Sequence, residues 1–324
     1  MEQKEKVVGR FAPTPSGRMH LGNVFAAMIA WLSVRSQNGT LVLRMEDLDT
    51  QRTSPEFARI LREDLTWLGL HWDVEMPPQS QRTEVYDRYF EKLMDLGLLY
   101  PCYCTRSQLH NVNAPHQADG TYVYPGTCRN LTREQQEAFK RAPAWRLQVP
   151  DQIWELEDMG KGHYSQNLAS ECGDFPVRRA DGVYMYQLAV VVDDGEIGVT
   201  EVVRGMDLLG SAPRQMYLQK LLGFSHPRYG HVPMLMAADG RRLSKRDQDL
   251  DMGALRNRFR PEEILGQLAF AAGLIPCKEP ISARELAREF QWEKLKQEDI
   301  CLDIVEMYKN ESDFSPCLLT KNSL

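Results

Sequence analysis

Hydrophobic and polar positions in the first 70 residues follow two alternating patterns. "KVVGRFAP" is typical of a buried strand that ends at Pro13, and apolar residues then recur at helical spacing over 20–38. "TLVLRME" predicts a second strand, and "PEFARILREDLTWLGL" predicts a second helix with Thr53 and Glu56 as its capping box. This strand–helix–strand–helix order predicts a parallel α/β sheet.

The pattern changes after Tyr100. "PCYCTRSQLHNVNAPHQADGTYVYPGTC" has little periodicity and many turn residues, which predicts an irregular insert. A helix is predicted from Thr132, and "YMYQLAVVVDD" predicts a return to a buried strand near residue 190. Further helices are predicted at 213–222, at 261–273 and after Ser282, where Glu285 completes a capping box.

Composition narrows the class of protein. The 324 residues are 43% hydrophobic and 26% charged, as in a soluble globular protein of two or three domains. No apolar run reaches the roughly 18 residues of a membrane span, and the charged start "MEQKEK" lacks a signal core, so we expect a cytoplasmic protein with no membrane partner. A net charge of -6 argues against indiscriminate coating of nucleic acid, and seven scattered cysteines favour free thiols or metal ligands.

The loop "GRFAPTPSGRMHLGN" joins the first predicted strand to the first helix. Ligands of open α/β sheets bind beyond the carboxyl ends of the strands, and a helix N-terminus there suits a phosphate. Gly17 and Gly22 would allow close approach, and His20 can donate a hydrogen bond to a phosphoryl oxygen. Taken alone, the loop fits a tight turn without a ligand equally well.

A second segment, "RRLSKRD", forms a basic cluster around Ser244 and Lys245. A flexible lysine can stabilise a leaving pyrophosphate, on which charge develops in the transition state. A basic run alone is typical of a solvated face. Together with the "HLG" loop of the same α/β region, it favours a nucleotide site.

"HLGN" and "RLSKR" resemble the two signatures of class I aminoacyl-tRNA synthetases. "RFAPTPSGRMHLGN", "LRMEDLDTQR", "YQLAVVVDD" and "VVRGMDLLGSAPRQ" resemble the glutamyl branch, in the same order over residues 7 to about 275. The resemblance implies activation of glutamate by ATP with magnesium. It implies ATP binding by His20, Gly22, Asn23, Arg242, Ser244 and Lys245, with His20, Asn23 and Lys245 catalytic.

Two positions depart from those signatures. Asn23 stands where the family usually has histidine, so this side chain can donate a hydrogen bond but carries no charge. Arg242 stands where the family usually has lysine, and it keeps the charge in a planar fork.

Glutamate carries two carboxylates and one ammonium, so a selective pocket needs two cationic donors and an anion. The resemblance implies a glutamate site made of Arg10, Phe11, Ala12, Pro13, Thr14, Glu46, Tyr186 and Arg204. The residue types suit this task, with Arg10 and Arg204 for the carboxylates and Glu46 for the ammonium. Which arginine binds which carboxylate stays open.

Cys102 and Cys104 precede Cys128 by about two dozen residues, and three thiolates with one further ligand would form a tetrahedral zinc site. Spacing alone leaves the fourth ligand open, and three free thiols remain an alternative. The candidate fourth ligands are His110, His116, Tyr122 and Tyr124. The resemblance implies Tyr124 and one zinc per chain.

These observations predict an α/β fold with a Rossmann-like parallel sheet that has helices on both faces. We expect the sheet domain to comprise residues 1–100 and 180–250. A zinc-bearing insert that resembles an acceptor-binding region would occupy 101–179, and a small helical subdomain would occupy 251–324.

Only 78 residues follow Arg246, whereas a full glutamyl-tRNA synthetase continues into a helical region that grips the anticodon. The shorter architecture resembles glutamyl-queuosine tRNA(Asp) synthetases, which implies transfer of glutamate to queuosine in the anticodon loop of tRNA(Asp). The segment from Arg241 to Arg260 contains seven Arg/Lys and three Asp, and this local positive charge suits contact with one RNA loop. We expect a monomer whose partners are L-glutamate, ATP and tRNA(Asp) bearing queuosine.

Three other functions remain open. They are a truncated glutamyl-tRNA synthetase that charges the 3′ end of tRNA(Glu), a catalytically silent paralogue that only binds tRNA or a protein, and a small-molecule ligase of the same superfamily. Intact Arg10, Glu46, Arg204 and Lys245 argue against the silent paralogue. Glutamate-dependent ATP–pyrophosphate exchange without tRNA would separate the leading function from that paralogue and from full glutamyl enzymes, which resemble one another in needing tRNA.

Overall fold

The computed structural model describes residues 6–110, 123–237, 240 and 251–302. Its strands are β1 (Val8–Phe11), β2 (Thr40–Leu43), β3 (Val74–Glu75), β4 (Leu99–Cys102), β5 (Ala144–Leu147), β6 (Ile153–Asp158), β7 (Gly162–Asn167), β8 (Phe175–Arg178), β9 (Glu201–Gly205), β10 (Arg228–Val232), β11 (Leu235–Ala237) and β12 (Ile300–Leu302). Its helices are α1 (Leu21–Ser36), α2 (Pro55–Trp67), α3 (Thr83–Asp95), α4 (Arg106–His110), α5 (Arg133–Glu137), α6 (Tyr186–Glu196), α7 (Ala212–Leu222), α8 (Met252–Arg256), α9 (Pro261–Ala271) and α10 (Ala283–Glu289).

The largest sheet has the strand order β3-β2-β1-β9-β10, and every pair in it is parallel. The chain starts in the middle, moves to one edge, and returns to build the other edge. This order matches five of the six strands of the dinucleotide-binding fold, 3-2-1-4-5. The predicted Rossmann-like parallel sheet is therefore confirmed.

Both faces of this sheet are covered. Helix α1 packs on one face, where a Cβ on Gly9 would lie only 2.3 Å from Cγ2 of Val34, so the glycine lets the helix approach the strand closely. On the opposite face Val202 and Tyr229 pack with Ala212 at the start of α7. The prediction of helices on both faces is confirmed.

Two local predictions were wrong. The segment "YQLAVVVDD" forms helix α6 rather than a strand, and its residues Leu188 to Asp194 are all buried. A run that is buried on every side shows no periodicity, so sequence pattern alone cannot separate a helix from a strand. The N-cap of α2 is Ser54, whose hydroxyl accepts the Phe57 N–H at 3.1 Å, and not Thr53.

Residues between β4 and β8 form antiparallel structure instead of extending the parallel sheet. Strands β4, β5 and β8 make a three-stranded sheet, and β6 and β7 make a hairpin. The Met159 N–H, at the tip of this hairpin, donates to the Tyr229 carbonyl of β10 at 2.8 Å. The hairpin is thus attached to the edge of the parallel sheet.

The helices after residue 251 share one hydrophobic core with α1, and α10 packs directly on α1. The predicted helix starts at Pro261 and after Ser282 are confirmed, with Ser282 and Glu285 forming the capping box. The proposed domain bounds, including a separate subdomain from 251, stay predictions. No helix in the described ranges combines the length and apolar character needed to span a bilayer.

Candidate active site

The carboxyl ends of β1 and β2 stay paired beyond the strands themselves. The Arg44 N–H donates to the Phe11 carbonyl, and the Glu46 N–H donates to the Pro13 carbonyl, each at 3.0 Å. This pairing holds the backbone of Phe11, Ala12 and Pro13 beside Glu46, at the edge of the sheet where α/β proteins bind ligands.

A cavity of about 610 Å³ opens at this edge. Thr14, Glu46 and Tyr186 line one end, and Cys102 and Arg146 line the other. The cavity therefore connects the sheet edge to the cysteine cluster of the antiparallel region, and it has room for more than one small substrate.

Both predicted carboxylate-binding arginines are buried beside this edge. Arg10 is 4% exposed, and its Nε and Nη1 donate to Asp194 Oδ2 at 3.4 Å and to the Val203 carbonyl at 3.3 Å. Arg204 is 5% exposed and lies on β9, the strand next to β1. The structure thus places two buried guanidiniums on adjacent parallel strands, and that of Arg10 is paired with the carboxylate of Asp194.

Arg204 is held by three hydrogen bonds. Its Nε donates to His231 Nε2 at 2.9 Å, its Nη1 to Gln215 Oε1 at 2.7 Å, and its Nη2 to the Leu208 carbonyl at 3.2 Å. The guanidinium also lies 5.4 Å from the ring centroid of Tyr229. These contacts fix the plane of the guanidinium.

Glu46 belongs to a buried ion cluster around Arg44. The fully buried Arg44 contacts Glu46 Oε1 at 3.1 Å, Asp194 Oδ1 at 2.5 Å and Asp193 Oδ2 at 3.5 Å. Burial raises the pKa of Glu46, and the nearby Arg44 and Arg10 only partly offset it. Burial also opposes ionisation of Asp194, but the same two arginines outweigh it and lower the pKa of Asp194.

The pKa of Tyr186 is affected by the charges of three predicted glutamate-binding residues. Burial raises its pKa; the charges of Arg204 and Arg10 act against that rise, and the charge of Glu46 adds to it. Tyr186 thus lies within electrostatic reach of Arg10, Glu46 and Arg204. Such an arrangement can hold a ligand with two anionic groups and one cationic group.

Sequence reasoning missed five polar residues that support this site: Arg44, Asp158, Asp193, Asp194 and His231. A signal for three of them was present, because charged residues end the two buried runs "TLVLR" and "LAVVVDD". A charge next to a core segment needs a partner, and such pairs often belong to functional sites. His231 and Asp158 carried no comparable signal.

The first signature forms the N-terminus of α1. His20 is the N-cap residue, and its Nδ1 accepts the Gly22 N–H at 3.1 Å. Asn23 Oδ1 accepts the His20 N–H at 3.3 Å, which closes a reciprocal cap. Asn23, which departs from the family pattern, therefore stabilises the helix start, and the positive end of the helix dipole lies beside the loop.

The second signature lies outside the described residues. This applies to Arg242, Ser244 and Lys245, so their predicted contacts with ATP stay predictions. The next described residue after that segment is Asp251, which forms a β-bridge with His20, and the Met252 N–H donates to the Met19 carbonyl at 2.9 Å. The chain that follows the lysine signature is thereby attached to the loop of the first signature.

The three predicted cysteine ligands come together. The Sγ atoms of Cys102, Cys104 and Cys128 all lie within 4.8 Å of one another. Tyr124 Oη lies 3.5 Å from Cys102 Sγ and 3.6 Å from Cys104 Sγ, and it accepts the Cys128 N–H at 2.9 Å. Of the alternative ligands, His116, Tyr122 and the side chain of His110 lie outside the described part.

These distances suit a tetrahedral metal ion. Zinc bonds of about 2.3 Å to sulfur and about 2.0 Å to oxygen give tetrahedral edges of about 3.8 Å between sulfurs and about 3.5 Å between sulfur and oxygen. The Cys104 and Cys128 sulfurs are 3.6 Å apart, and the two distances to Tyr124 Oη are 3.5 and 3.6 Å. The cysteine triad can therefore hold a metal ion, and Tyr124 Oη lies beside it.

Comparisons with known proteins agree with this geometry. The family described as tRNA synthetases class I (E and Q), catalytic domain, matches residues 6–307. A Glutamyl-Q tRNA(Asp) synthetase of Nitratidesulfovibrio vulgaris is 49% identical over 282 residues, which is 83% of this chain and 87% of that protein. A protein of the same name from Symbiobacterium thermophilum is 43% identical over 90% of this chain and 94% of its own length.

Solved structures point the same way. A glutamate tRNA ligase from Elizabethkingia meningosepticum, crystallised with its amino acid, superposes with a TM-score of 0.80 at 27% identity. That match covers 94% of this chain and 68% of the ligase. The chain therefore belongs to the class I tRNA synthetases of the E and Q branch, in the family of the Glutamyl-Q tRNA(Asp) synthetases.

Proposed function

We propose that this chain activates L-glutamate with ATP and transfers it to queuosine in the anticodon loop of tRNA(Asp). The observation that carries the proposal is that Arg10, Arg204 and Glu46 all lie within electrostatic reach of Tyr186, at the carboxyl ends of the parallel strands. The names of the similar proteins supply the acceptor.

Glutamate recognition follows from charge. The two buried arginines would bind the two carboxylates, Glu46 would bind the ammonium, and Tyr186 would form a wall of the pocket. Thr14 and the backbone of Phe11, Ala12 and Pro13 would border the amino acid. Because the site is buried, each interaction is stronger than it would be in water, so a substrate that lacks one of the three charges would bind much more weakly.

Activation joins the α-carboxylate of glutamate to the α-phosphate of ATP and releases pyrophosphate. A neutral His20 carries its proton on Nε2, because Nδ1 accepts the Gly22 N–H, so Nε2–H can donate to a phosphoryl oxygen. The N-terminus of α1 adds backbone N–H groups and a positive partial charge. Arg242, Ser244 and Lys245 would contact the phosphates, which magnesium would also neutralise.

Transfer requires the base to reach the adenylate. A hydroxyl of the queuosine cyclopentenediol would attack the glutamyl carbonyl, form an ester and release AMP. The cavity provides a route, because it extends from Glu46 and Tyr186 toward Ala144, Pro176 and Arg146. Sequence-specific RNA recognition commonly inserts a splayed base from a loop into such a pocket.

We further propose one zinc ion per chain, bound by Cys102, Cys104, Cys128 and Tyr124. The tetrahedral distances described above support it. The ion would brace the irregular insert beside the far end of the cavity, a structural role that needs four protein ligands and no open position. A monomeric enzyme in the cytoplasm is also part of this proposal.

Two assays test the function. In the first, glutamate-dependent exchange of pyrophosphate into ATP should proceed without tRNA. In the second, radiolabelled glutamate is offered to tRNA from cells able or unable to make queuosine, and label should appear only on the former. Equal labelling of queuosine-free tRNA(Glu) would instead establish a truncated glutamyl-tRNA synthetase, and no exchange either with or without tRNA would establish a silent paralogue.

A further inference from the structure

We propose that His231 and Asp158 are positioning residues that orient Arg204 for the substrate. This inference rests on the proposed function, in which Arg204 binds a carboxylate of glutamate. Asp158 ends β6 of the hairpin, His231 lies on β10 and Arg204 on β9, so three separate elements contribute to one hydrogen-bonded chain.

The chain is short and buried. Arg204 and His231 are register partners on neighbouring parallel strands, and Arg204 Nε donates to His231 Nε2 at 2.9 Å. His231 Nδ1 lies 2.6 Å from Asp158 Oδ2, and both of these side chains are fully buried. Asp158 is itself fixed, since its Oδ1 accepts the backbone N–H groups of Gly160, Lys161 and His231, each at 2.9 Å.

The donors and acceptors allow one protonation pattern. Arginine has only donors, so Nε2 of His231 must accept. The imidazole is therefore neutral, with its proton on Nδ1 and donated to Asp158. Burial and the charge of Arg204 lower the pKa of His231 against the opposing effects of Asp158 and the Leu208 carbonyl, which agrees with a neutral ring.

This pattern determines which way Arg204 points. Its Nε is bound to His231, and its Nη1 and Nη2 are bound to Gln215 and to the Leu208 carbonyl. Three of the five N–H groups are used within the described residues, which leaves one on each Nη. These two N–H groups lie in one fixed plane, and each can donate to a carboxylate oxygen. A guanidinium that could rotate would lose that match.

Asp158→Asn provides a sharp test because it keeps the shape of the side chain. The amide oxygen can still accept the backbone N–H groups, but the amide nitrogen then donates to His231 Nδ1. The imidazole proton then moves to Nε2, where it faces the Arg204 Nε–H. Two donors oppose each other there, and the hydrogen bond is lost. A wrong histidine tautomer imposed in this way disables a catalytic triad whose geometry is intact.

We expect Asp158→Asn to raise the KM for glutamate in ATP–pyrophosphate exchange by about 10-fold or more, in line with the loss of a hydrogen bond to a charged group. The KM for ATP should change less than about 2-fold. The matched control is Glu201→Gln, a buried carboxylate at the other end of β9 that bonds Ser33 and Arg228. The control should lower stability and leave the KM for glutamate unchanged.

A second pair of variants separates positioning from packing. In His231→Gln the amide oxygen can accept from Arg204 and the amide nitrogen can donate to Asp158, so this variant should retain more glutamate affinity than His231→Leu. Equal loss in the two variants, or an unchanged KM in Asp158→Asn, would overturn the proposal.

Nitrogen-15 NMR of the histidines, with His231 assigned by its absence in His231→Gln, tests the proposal independently of activity. The wild-type proton should reside on Nδ1, and a proton on Nε2 would overturn the inference. Failure of the proposed function would look different, because the wild type would then show no glutamate-dependent exchange while the tautomer remained as described.

Discussion

The Nδ1 atom of His20 accepts a hydrogen bond from the backbone N–H of Gly22 at 3.1 Å, and the imidazole lies directly over that glycine. A Cβ on residue 22 would come within 2.9 Å of Cε1 and 3.0 Å of Nδ1 of the ring. A side chain at residue 22 would thus displace the His20 ring, which adds a second reason for the glycine besides access for a nucleotide.

Gly22→Ala should therefore act through His20. We expect ATP–pyrophosphate exchange to fall by about 10-fold or more, because the displaced imidazole no longer reaches the phosphoryl oxygen. The control is a double-mutant cycle with His20→Ala. In the His20→Ala background, adding Gly22→Ala should lower the exchange rate little further. Fully additive losses would show that Gly22 acts on its own.

Lys245→Ala should lower kcat of activation far more than it changes the KM for glutamate. The lysine would contact phosphate charge that grows in the transition state, and removal of one such donor typically costs about 100-fold or more in rate. Arg242→Lys restores the usual family residue and should stay within a few-fold of wild type. A Lys245→Ala enzyme with normal turnover and a raised glutamate KM would contradict this role.

Elemental analysis of protein purified without chelator should find about one zinc per chain, and Cys102→Ser should lose it. Cys301→Ser, which removes an exposed cysteine outside the cluster, should keep the metal. Loss of the ion should expose the insert to proteolysis before the parallel sheet melts, because metal binding contributes folding free energy to the segment it braces. Equal zinc content in both variants would refute the site.

Glu46→Gln should weaken glutamate binding at neutral pH by about 10-fold or more, since the ammonium then has no carboxylate partner. The affinity of the wild type for glutamate should also fall as the pH is lowered. Because burial raises the pKa of Glu46 above its ordinary 4.5, the carboxylate is protonated, and affinity is lost, at a higher pH than for an exposed glutamate. Calorimetric titrations at falling pH from pH 7 should show this loss begin above pH 4.5 in the wild type, and a flat profile in Glu46→Gln.

Asp194→Asn should destabilise the fold at neutral pH by about 3–5 kcal/mol, because it removes a carboxylate partner of the buried Arg44 and Arg10. The pKa of Asp194 is lowered in the folded state, so its contribution is present above the unfolded value of about 3.9 and is lost as the pH falls through the folded pKa. Urea unfolding at pH 7 and near pH 2 should show a difference that shrinks in acid. A constant difference would assign the effect to packing.

Much of the parallel sheet could be predicted from local pattern. Strands β1 and β2 are short apolar runs, and helix α1 and the helices after Arg260 and Ser282 begin at clear start signals, so composition and capping identify them even where the middle of the helix is buried on all sides. Helix α6 could not be identified in this way. Its middle residues are buried on all sides, and no polar face reveals the helical period.

The same distinction between local pattern and tertiary contact applies to the candidate site. The sequence by itself determined the residue types of the glutamate pocket and the cysteine spacing, because recognition of charge and metal needs those chemical groups in any fold. Only the tertiary structure decided how they are held. The partners in these contacts are far apart in the sequence: 150 residues separate Arg44 from Asp194, 73 separate His231 from Asp158, and 27 separate Arg204 from His231. Such pairings arise from strand order and burial, which bring distant segments together and leave no local pattern in the chain.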